Sequence, residues 1–403
     1  MRKNVIFSIC SMGTNYLFPV IIIPFLVSKY GLHEYGYLSL MFALSGIVIV
    51  FTGLNLDATY ASLKVETTRG VIWRVIILRS CFAILGVMLC LIFSIVNGND
   101  ILSLLVVMLP VLGNVVNGNC YLIKEQDFKS ILLFNFVAKV ISIIVISVLV
   151  SFDVNIIIIG FFMNSWYLVS SLLSFYKVWS NANNEHEYAS KRKLTMFCLF
   201  RMIMPGFSSS LASLIMTVLV QPIMSIISSN NYSDIGIYSI FEKLIRAATG
   251  IFDSVNGVVY AKLASMNKQK EKNAIIFNVV KVYLSLILVG AFGSFLIFKS
   301  FDFSFFFAGV SDSVISKAFV ISSLIVLCIV LGNVSSSLIL FENRIFTEVS
   351  WVITASSSLF LIFLFTPFVN KGVVFVLSCL LVSEFLSMML KGMLVWKKSP
   401  FCK

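Results

Sequence analysis

Long apolar runs recur from one end of the 403-residue chain to the other, and they constrain the fold more than any motif. A helix that crosses a bilayer core needs about 20 predominantly apolar residues, and the chain divides into about twelve such runs. Composition agrees, because 59% of the residues are hydrophobic and only 12% are charged, which excludes a water-soluble domain. Long runs, rather than short alternating ones, predict an all-α polytopic membrane protein and not a barrel. The predicted spans are 5–27, 36–58, 72–96, 101–122, 130–151, 154–176, 198–220, 236–259, 275–298, 314–340, 348–368 and 372–395.

The placement of basic residues predicts the orientation of these spans. If the N-terminus is cytoplasmic, most of the 30 Lys and Arg residues fall in cytoplasmic flanks and loops, and the opposite side keeps only Lys29, Lys299 and Lys371. This asymmetry is the positive-inside pattern, so we expect both termini in the cytoplasm. Most of the net charge of +12 is then explained by the orientation of the spans in the membrane, and it does not indicate nucleic-acid binding.

A weak internal repeat predicts two related halves. HEYGYLSLMFAL at 33–44 aligns with SDIGIYSIFEKL at 233–244, 200 positions later. The matching residues are Gly36 with Gly236, Ser39 with Ser239 and Leu44 with Leu244. We therefore predict a six-helix N-terminal half at 1–177, a cytoplasmic linker at 178–194 and a six-helix C-terminal half at 195–403. An even number of helices relates the halves by an axis along the membrane normal.

A polar stripe runs along the predicted 236–259 span. Its members recur at i, i+4, i+7, i+11 and i+14, which at helical pitch is one narrow face, and such a face should border an interior cavity rather than lipid. Glu242 and Arg246 are also spaced for an intrahelical salt bridge. Asp253 has no obvious local partner and is our candidate for a protonatable or ion-coupled carboxylate. The residues that we assign to coupling are Glu242, Thr249, Asp253 and Asn256.

Several cations lie within or near the predicted spans. A charge at the centre of a membrane helix costs about 2.5–3.5 kcal/mol on insertion scales, so each needs a compensating role. Acidic residues in the spans are fewer, and a cation-rich cavity suits an anionic substrate such as a pyrophosphate-linked lipid. For Arg79, snorkelling to the interface is an equal alternative. The predicted substrate-binding cations are Arg79, Lys139, Arg201, Arg246 and Lys281.

Prolines interrupt the first, fourth and seventh predicted spans, the fourth at Pro110. They are either ordinary membrane kinks or, in the first and seventh spans, bends that let these two helices gate the cavity. The candidate gating residues are Pro19, Pro24, Pro205 and Pro222.

Motifs for other chemistry are missing from the sequence. It contains no GxxxxGK[ST] phosphate loop, no HExxH and no paired metal-ligand cluster. His33 and His186 fall in loops predicted on opposite sides of the membrane, so they cannot share a site. We therefore expect a protein that is not an enzyme and has no cofactor or metal site.

Three stretches point to a family when they are taken with the twelve-span pattern. They are KYGLHEYGYLSL at 29–40, KEQDFKS at 124–130 and YSDIGIYSIFEKL at 232–244. With them, the chain resembles the Wzx O-antigen flippases, polysaccharide exporters of the multidrug/oligosaccharidyl-lipid/polysaccharide superfamily. The resemblance implies a MATE-like, V-shaped, alternating-access bundle in the bacterial inner membrane. It also implies flipping of undecaprenyl-pyrophosphate-linked repeat units from the cytoplasmic to the periplasmic leaflet through a cationic central cavity.

The same resemblance implies the partners of the protein. They are the lipid-linked oligosaccharide, membrane lipids, a polysaccharide polymerase and a chain-length regulator, with no nucleic acid and with the protein itself as a monomer.

The 36–58 span departs from its repeat partner, because its polar stripe is neutral where that of the 236–259 span is charged. We therefore expect the second half to supply most of the charge. The neutral stripe consists of Ser45, Thr52, Asn55 and Thr59.

Two other functions remain as alternatives. A drug or cation antiporter of the same superfamily predicts an acidic binding cavity, which the cation bias of the spans disfavours. A membrane polysaccharide polymerase predicts a large exported loop with basic catalytic residues, and no exported segment of this chain is long enough.

Overall fold

The structure is a computed structural model, and it describes residues 2–56, 60, 67–182, 195–227, 231–265, 271–272, 274–281, 283, 285, 307, 310–335, 346–366 and 372–398. Within these residues, seven helices are long and apolar enough to cross a membrane, or up to eight if one bent pair counts as a single span. The prediction of an all-α polytopic membrane protein is therefore confirmed. Most of the predicted 275–298 span lies outside the described residues, although residues 274–281 are helical.

The observed helices follow most of the predicted spans. They are α1 (Arg2–Gly53), α2 (Arg69–Val96), α3 (Ile101–Met108), α4 (Asn119–Lys124), α5 (Phe128–Ser151), α6 (Ile156–Asn181), α7 (Met196–Thr217), α8 (Val220–Ile227), α9 (Tyr232–Ser265), α10 (Asp312–Asn333), α11 (Phe346–Phe365) and α12 (Val373–Lys398). The long α1 is two helical pieces, because Gly31 has a φ of 83° and a ψ of 164° inside it. A positive φ is accessible to glycine without steric cost, so this residue separates the two spans predicted there.

The predicted span at 101–122 is not one regular helix: the interruption expected at Pro110 is present, and a break that the sequence did not predict follows it. After α3 the chain continues as a 3-10 helix at Leu109–Val116 with Pro110 near its start, and α4 begins only after a break at Asn117 and Gly118. Proline has no backbone N–H and its ring disturbs the preceding turn, so a regular α-helix cannot continue unchanged through it. This segment is a broken helix inside an otherwise apolar region.

The backbone groups released at this break have partners. The N–H of Gly118 donates to the hydroxyl of Ser174 on α6 at 3.0 Å, and the guanidinium of Arg79 on α2 donates to the carbonyl oxygen of Asn117. Gly118 is required by close packing, because an added Cβ would lie 2.8 Å from the carbonyl oxygen of Ser174. Irregular backbone at membrane depth is tolerated when protein groups satisfy it in this way.

The predicted gating prolines occupy different settings. Pro19 and Pro24 lie inside the N-terminal piece of α1, which remains helical through both. Helices α7 and α8 meet at a 45° bend, and Pro222 is buried in the first turn of α8. The side chain of Pro205 lies outside the described residues. A gating role for these four prolines stays a prediction.

The chain forms two compact units. The first contains Met1–Gly36 and Asn231–Lys403, and in it α12 packs against α10 and α11 while α9 packs against α10. The second contains Tyr37–Asn230, and in it α6 packs against α5, α3 and the 3-10 helix. Helix α6 continues to Asn181, past the predicted start of the linker. The division into halves around 178–194 rests on the sequence repeat and stays a prediction.

Two short stretches of the sequence repeat, around Gly36 and Gly236, contact each other within the first compact unit. A Cβ placed on Gly36 would lie 1.7 Å from the carbonyl oxygen of Tyr232, and one placed on Gly236 would lie 2.7 Å from the carbonyl oxygen of Leu32. The contact is reciprocal, because each glycine meets the carbonyl four positions before the other glycine. Such close approach of two helix backbones needs residues without side chains at the contact.

A polar contact joins the same two stretches of the first unit. The hydroxyl groups of Tyr35 and Ser239 lie 3.1 Å apart, and both residues are buried. Beside them, the rings of His33 and Tyr232 meet edge to face with centroids 5.3 Å apart.

An ion pair joins the start of α5 to the end of α6. The carboxylate of Asp127 accepts a hydrogen bond from the backbone N–H of Ser130 at 3.2 Å and therefore caps α5. Lys177 on α6 donates to this carboxylate and to the hydroxyl of Ser130. Burial alone would raise the pKa of the Asp127 carboxyl, but the hydrogen bonds from Lys177 and Ser130 outweigh burial and hold that pKa below its ordinary value.

We predict that Gly36→Ala destabilises the folded protein. The helical preference of alanine over glycine is worth at most about 1 kcal/mol, whereas overpacking a close contact costs about 1–3 kcal/mol. The measurement is the thermal unfolding temperature of the full chain in detergent. Gly13→Ala is the matched control, because a Cβ there meets nothing within 4 Å and α1 is helical at that position. Equal unfolding temperatures for the two variants would contradict the packing argument.

We predict a pH-dependent effect of Asp127→Asn on stability. A carboxyl whose pKa falls on folding stabilises the folded state at neutral pH, and that stabilisation is lost as the pH falls through the lowered pKa. The variant should therefore unfold at a lower temperature than the wild type at pH 7, and the difference should close as the pH falls from about 5 toward 2. Glu125→Gln, at an exposed position two residues away, is the control. A difference that stays constant over this pH range would disprove the assignment.

Candidate functional site

The predicted polar stripe lies on α9, and its first residues interact with one another. Arg246 Nε and Nη2 each lie 2.6 Å from Oε1 of Glu242, whose side chain is buried. Thr249, one turn further along, donates its hydroxyl to the carbonyl oxygen of Arg246 at 3.4 Å. The intrahelical salt bridge that the spacing allows is therefore present, and it neutralises both charges in this conformation.

The far end of the stripe contacts a residue that the sequence did not single out. The hydroxyl of Tyr283 lies 2.9 Å from Oδ1 of Asn256 and 3.0 Å from the carbonyl oxygen of Phe252. In the part of the chain that the structure describes, no group accepts a hydrogen bond from the buried Nδ2 of Asn256. The side chain of Asp253 lies outside the described residues, so its coupling role stays a prediction.

Lys139 is buried between α5 and α6. Only 3% of the residue is exposed, and its Nζ lies 4.2 Å from the centroid of the Trp166 ring on α6. A cation over the face of an indole is attracted by the ring electrons, and the attraction grows when water is excluded. One turn along, the hydroxyl of Ser142 meets that of Ser165 on α6 at 3.1 Å. The contact with Trp166 depends on how two helices pack, so no spacing within either span could have predicted it.

Arg79 is also only 3% exposed, and it does not snorkel to a surface. Its guanidinium donates to the carbonyl of Asn117 at the helix break and approaches Sγ of Cys120 at 4.0 Å. The observed contacts of Arg79 therefore stabilise the broken helix. Substrate binding by this residue stays a prediction.

The two remaining cations are exposed. Arg201 lies on α7 and Lys281 lies in the helical stretch at 274–281, where its Nζ is 4.5 Å from the centroid of the Phe277 ring. Arg79, Lys139 and Arg201 belong to the second compact unit, and Arg246 and Lys281 belong to the first. Within the first unit, the structure groups Arg246 with Glu242 and Thr249.

Metal binding has no candidate among the residues that the structure describes. In those residues, no group of three or more His, Cys, Asp and Glu side chains is arranged to hold an ion.

Comparison with known proteins identifies the fold and the family. The profile of the family described as polysaccharide biosynthesis protein matches residues 1–266. No curated protein matches the chain significantly. A multidrug resistance MATE family transporter of the MOP superfamily in its outward-facing conformation superposes with a TM-score of 0.63 at 14% identity, covering 96% of this chain and 92% of that chain.

Two further solved structures agree. An inward-facing conformation of a multidrug resistance MATE family transporter has a TM-score of 0.63 at 13% identity and covers 96% of each chain. A MATE structure in a bent conformation has a TM-score of 0.56 at 13% identity, covering 97% of this chain and 94% of that one. Identities this low establish the fold alone, and the fold is MATE-like. Because the family profile covers well over half of its residues, the chain belongs to the polysaccharide biosynthesis protein family.

Proposed function

We propose that the protein is a Wzx-type flippase that moves undecaprenyl-pyrophosphate-linked O-antigen repeat units from the cytoplasmic to the periplasmic leaflet of the bacterial inner membrane. The observation that carries the proposal is the match to a polysaccharide biosynthesis family in a chain with a transporter fold. Lipid-linked sugars are the polysaccharide precursors that must cross a membrane, so a transporter of this family has them as its natural substrate class.

The cations support this substrate. Arg79 and Lys139 are buried in apolar surroundings, where an uncompensated positive charge is costly. The observed compensation comes from a backbone carbonyl and an indole ring, which are weaker partners than a phosphate oxygen. A pyrophosphate that approached these helices would be a stronger partner for a cation than a carbonyl oxygen or an indole ring is.

The proposal includes topology and mechanism. Both termini lie in the cytoplasm, the halves at 1–177 and 195–403 alternate access around a cationic cavity, and the protein works as a monomer beside a polymerase and a chain-length regulator. The similar MATE transporters have been solved in outward-facing and inward-facing conformations, which supports alternating access for a chain of this fold. The sequence has no phosphate-binding loop, so ATP hydrolysis by this chain is not part of the mechanism.

A drug or cation antiporter is the second candidate, because the similar structures are multidrug transporters. A cationic drug needs a carboxylate to neutralise it, and the buried Glu242 already pairs with Arg246. The pairing makes this carboxylate a poor drug site and favours the flippase. A drug-susceptibility assay on a deletion strain separates the two, because only the antiporter predicts sensitisation with normal surface polysaccharide.

We predict that neutralising four cations together abolishes flipping. The variant Lys139→Gln, Arg201→Gln, Arg246→Gln and Lys281→Gln should leave a deletion strain without surface polysaccharide, as measured on gels with expression equalised. The matched control changes four exposed lysines to Gln, which alters the net charge equally. These lysines are Lys29, Lys129, Lys317 and Lys397. Full surface polysaccharide with the first variant would remove the cationic site from the proposal.

We predict that Arg246 does more than neutralise Glu242. If Arg246 binds pyrophosphate, Arg246→Gln should lower flipping at least about tenfold, and adding Glu242→Gln should not restore it, because the cation stays absent. If Arg246 serves only the salt bridge, the double variant should recover, since no buried carboxylate is left unpaired. The measurement is the rate at which sugar units reach the outer leaflet, with Glu242→Gln alone as the control. Recovery in the double variant would assign Arg246 a purely structural role.

A further inference from the structure

A cluster of one arginine and aromatic side chains lies where two membrane-spanning helices end, in the second compact unit. We call it the Trp179 patch, and it consists of Arg69, Trp73, Phe175, Tyr176 and Trp179. Arg69 is the first residue of α2, and Trp179 lies in the last turn of α6. Both helices are long and apolar enough to cross the membrane, and their ends touch here. The patch is therefore at a membrane–water interface.

The aromatic rings hold the arginine side chain in place. The guanidinium carbon of Arg69 lies 5.2 Å from the centroid of the Trp179 ring. Trp73 meets the same indole edge to face at 5.9 Å, and Phe175 stacks on it at 5.6 Å. A guanidinium that rests on an indole ring keeps its planar array of N–H donors directed away from the ring.

The guanidinium of Arg69 has a hydrogen-bond donor that is not satisfied. Among the residues that the structure describes, no group accepts a hydrogen bond from its Nε, which is buried, although the residue as a whole is partly exposed. The neighbouring cation Lys177 differs, because it pairs with Asp127 and Ser130. Arg69 is therefore a partly exposed cation for which the described residues supply no carboxylate partner, and the exposed part of its guanidinium is open to an external acceptor.

The apolar members of the patch complete a lipid-like pattern. Trp73 is 52% exposed, and Ile77, one turn deeper in the same helix, is 51% exposed, as expected for side chains that face acyl chains. Tyr176, in the last turns of α6, is 76% exposed. Tryptophan and tyrosine favour the headgroup level of a bilayer, and an arginine at that level meets lipid phosphate. The patch thus has a charged group at the headgroup level and apolar side chains deeper in the leaflet, and a phospholipid has its phosphate and its acyl chains in the same order.

We propose that the Trp179 patch binds the phosphate group of an anionic phospholipid from the surrounding leaflet. The guanidinium of Arg69 donates two hydrogen bonds to the phosphate oxygens, and the acyl chains lie against Trp73 and Ile77. This bound lipid belongs to the resting protein and is independent of which substrate the protein carries.

The test measures quenching of tryptophan fluorescence by brominated lipids in liposomes that contain the full chain. Trp351 and Trp396, which are 71% and 78% exposed, are first changed to Phe because any lipid would quench them. Brominated phosphatidylglycerol is compared with brominated phosphatidylcholine. We expect about fivefold tighter association of the anionic lipid, since one arginine near the surface contributes about a factor of this size. Equal quenching by both lipids would overturn the proposal.

Two variants test the geometry. Arg69→Gln should abolish the preference for the anionic lipid, whereas Arg74→Gln, which removes the same charge from the next turn of α2, should keep it. An equal loss in both variants would indicate general surface electrostatics and overturn the site. If Arg69→Gln does not fold, Arg69→Lys serves instead, and it should retain about a twofold preference, because an ammonium attracts phosphate without the planar fork. An unchanged fivefold preference in that variant would also overturn the site.

A competition measurement distinguishes a structural lipid from a transported one. Polyprenyl pyrophosphate is titrated into the liposomes that contain brominated phosphatidylglycerol. We expect it to relieve quenching only at a mole fraction comparable with that of the phospholipid. Relief at a mole fraction at least tenfold lower would assign the patch to the pyrophosphate-linked substrate and reject the phospholipid. Neither result decides the proposed flipping function, which rests on the surface polysaccharide of the cell.

Discussion

The need to satisfy backbone hydrogen bonds in an apolar medium governs much of this structure. A continuous helix satisfies them internally, and every interruption requires another partner. At the break before α4, Arg79 and Ser174 supply those partners. The amide of Asn114 adds a further link, because its Nδ2 donates to the hydroxyl of Thr52 at 2.9 Å. A polar side chain that looks like part of a binding cavity can therefore be needed simply to keep an unwound segment inside a membrane.

The sequence predicted the helices well because hydrophobicity over about 20 residues is a local property. It missed the break near Gly118 because the residues around Pro110 are apolar enough to continue the run, and the partners that permit the break come from other helices. The cations show the same limit. Their positions are visible in the sequence, but the indole beside Lys139 and the carbonyl beside Arg79 follow only from packing. The salt bridge on α9 could be anticipated because it is local.

Three of the described cations have different forms of compensation. Arg246 has a carboxylate, Lys139 has an indole ring and Arg79 has a backbone carbonyl. In these settings an anionic ligand competes with partners of different strength, and the carboxylate is the strongest competitor. The proposed binding of an anionic substrate would therefore not depend equally on the three residues. Arg246 would be the cation whose release from its partner costs most.

The reciprocal contact between Gly36 and Gly236 has the form of an interface between two copies of one protein. In a two-fold homodimer, residue i of one copy contacts residue j of the other, and j contacts i in return. Here both stretches belong to one polypeptide, and only their local contact has this reciprocal form. The side-chain contacts are not reciprocal, because Tyr35 meets the hydroxyl of Ser239, while Ile235, the residue aligned with Tyr35 in the predicted repeat, has no hydroxyl to form the corresponding bond. The backbone contact keeps its symmetry, and the side chains around it have become specialised.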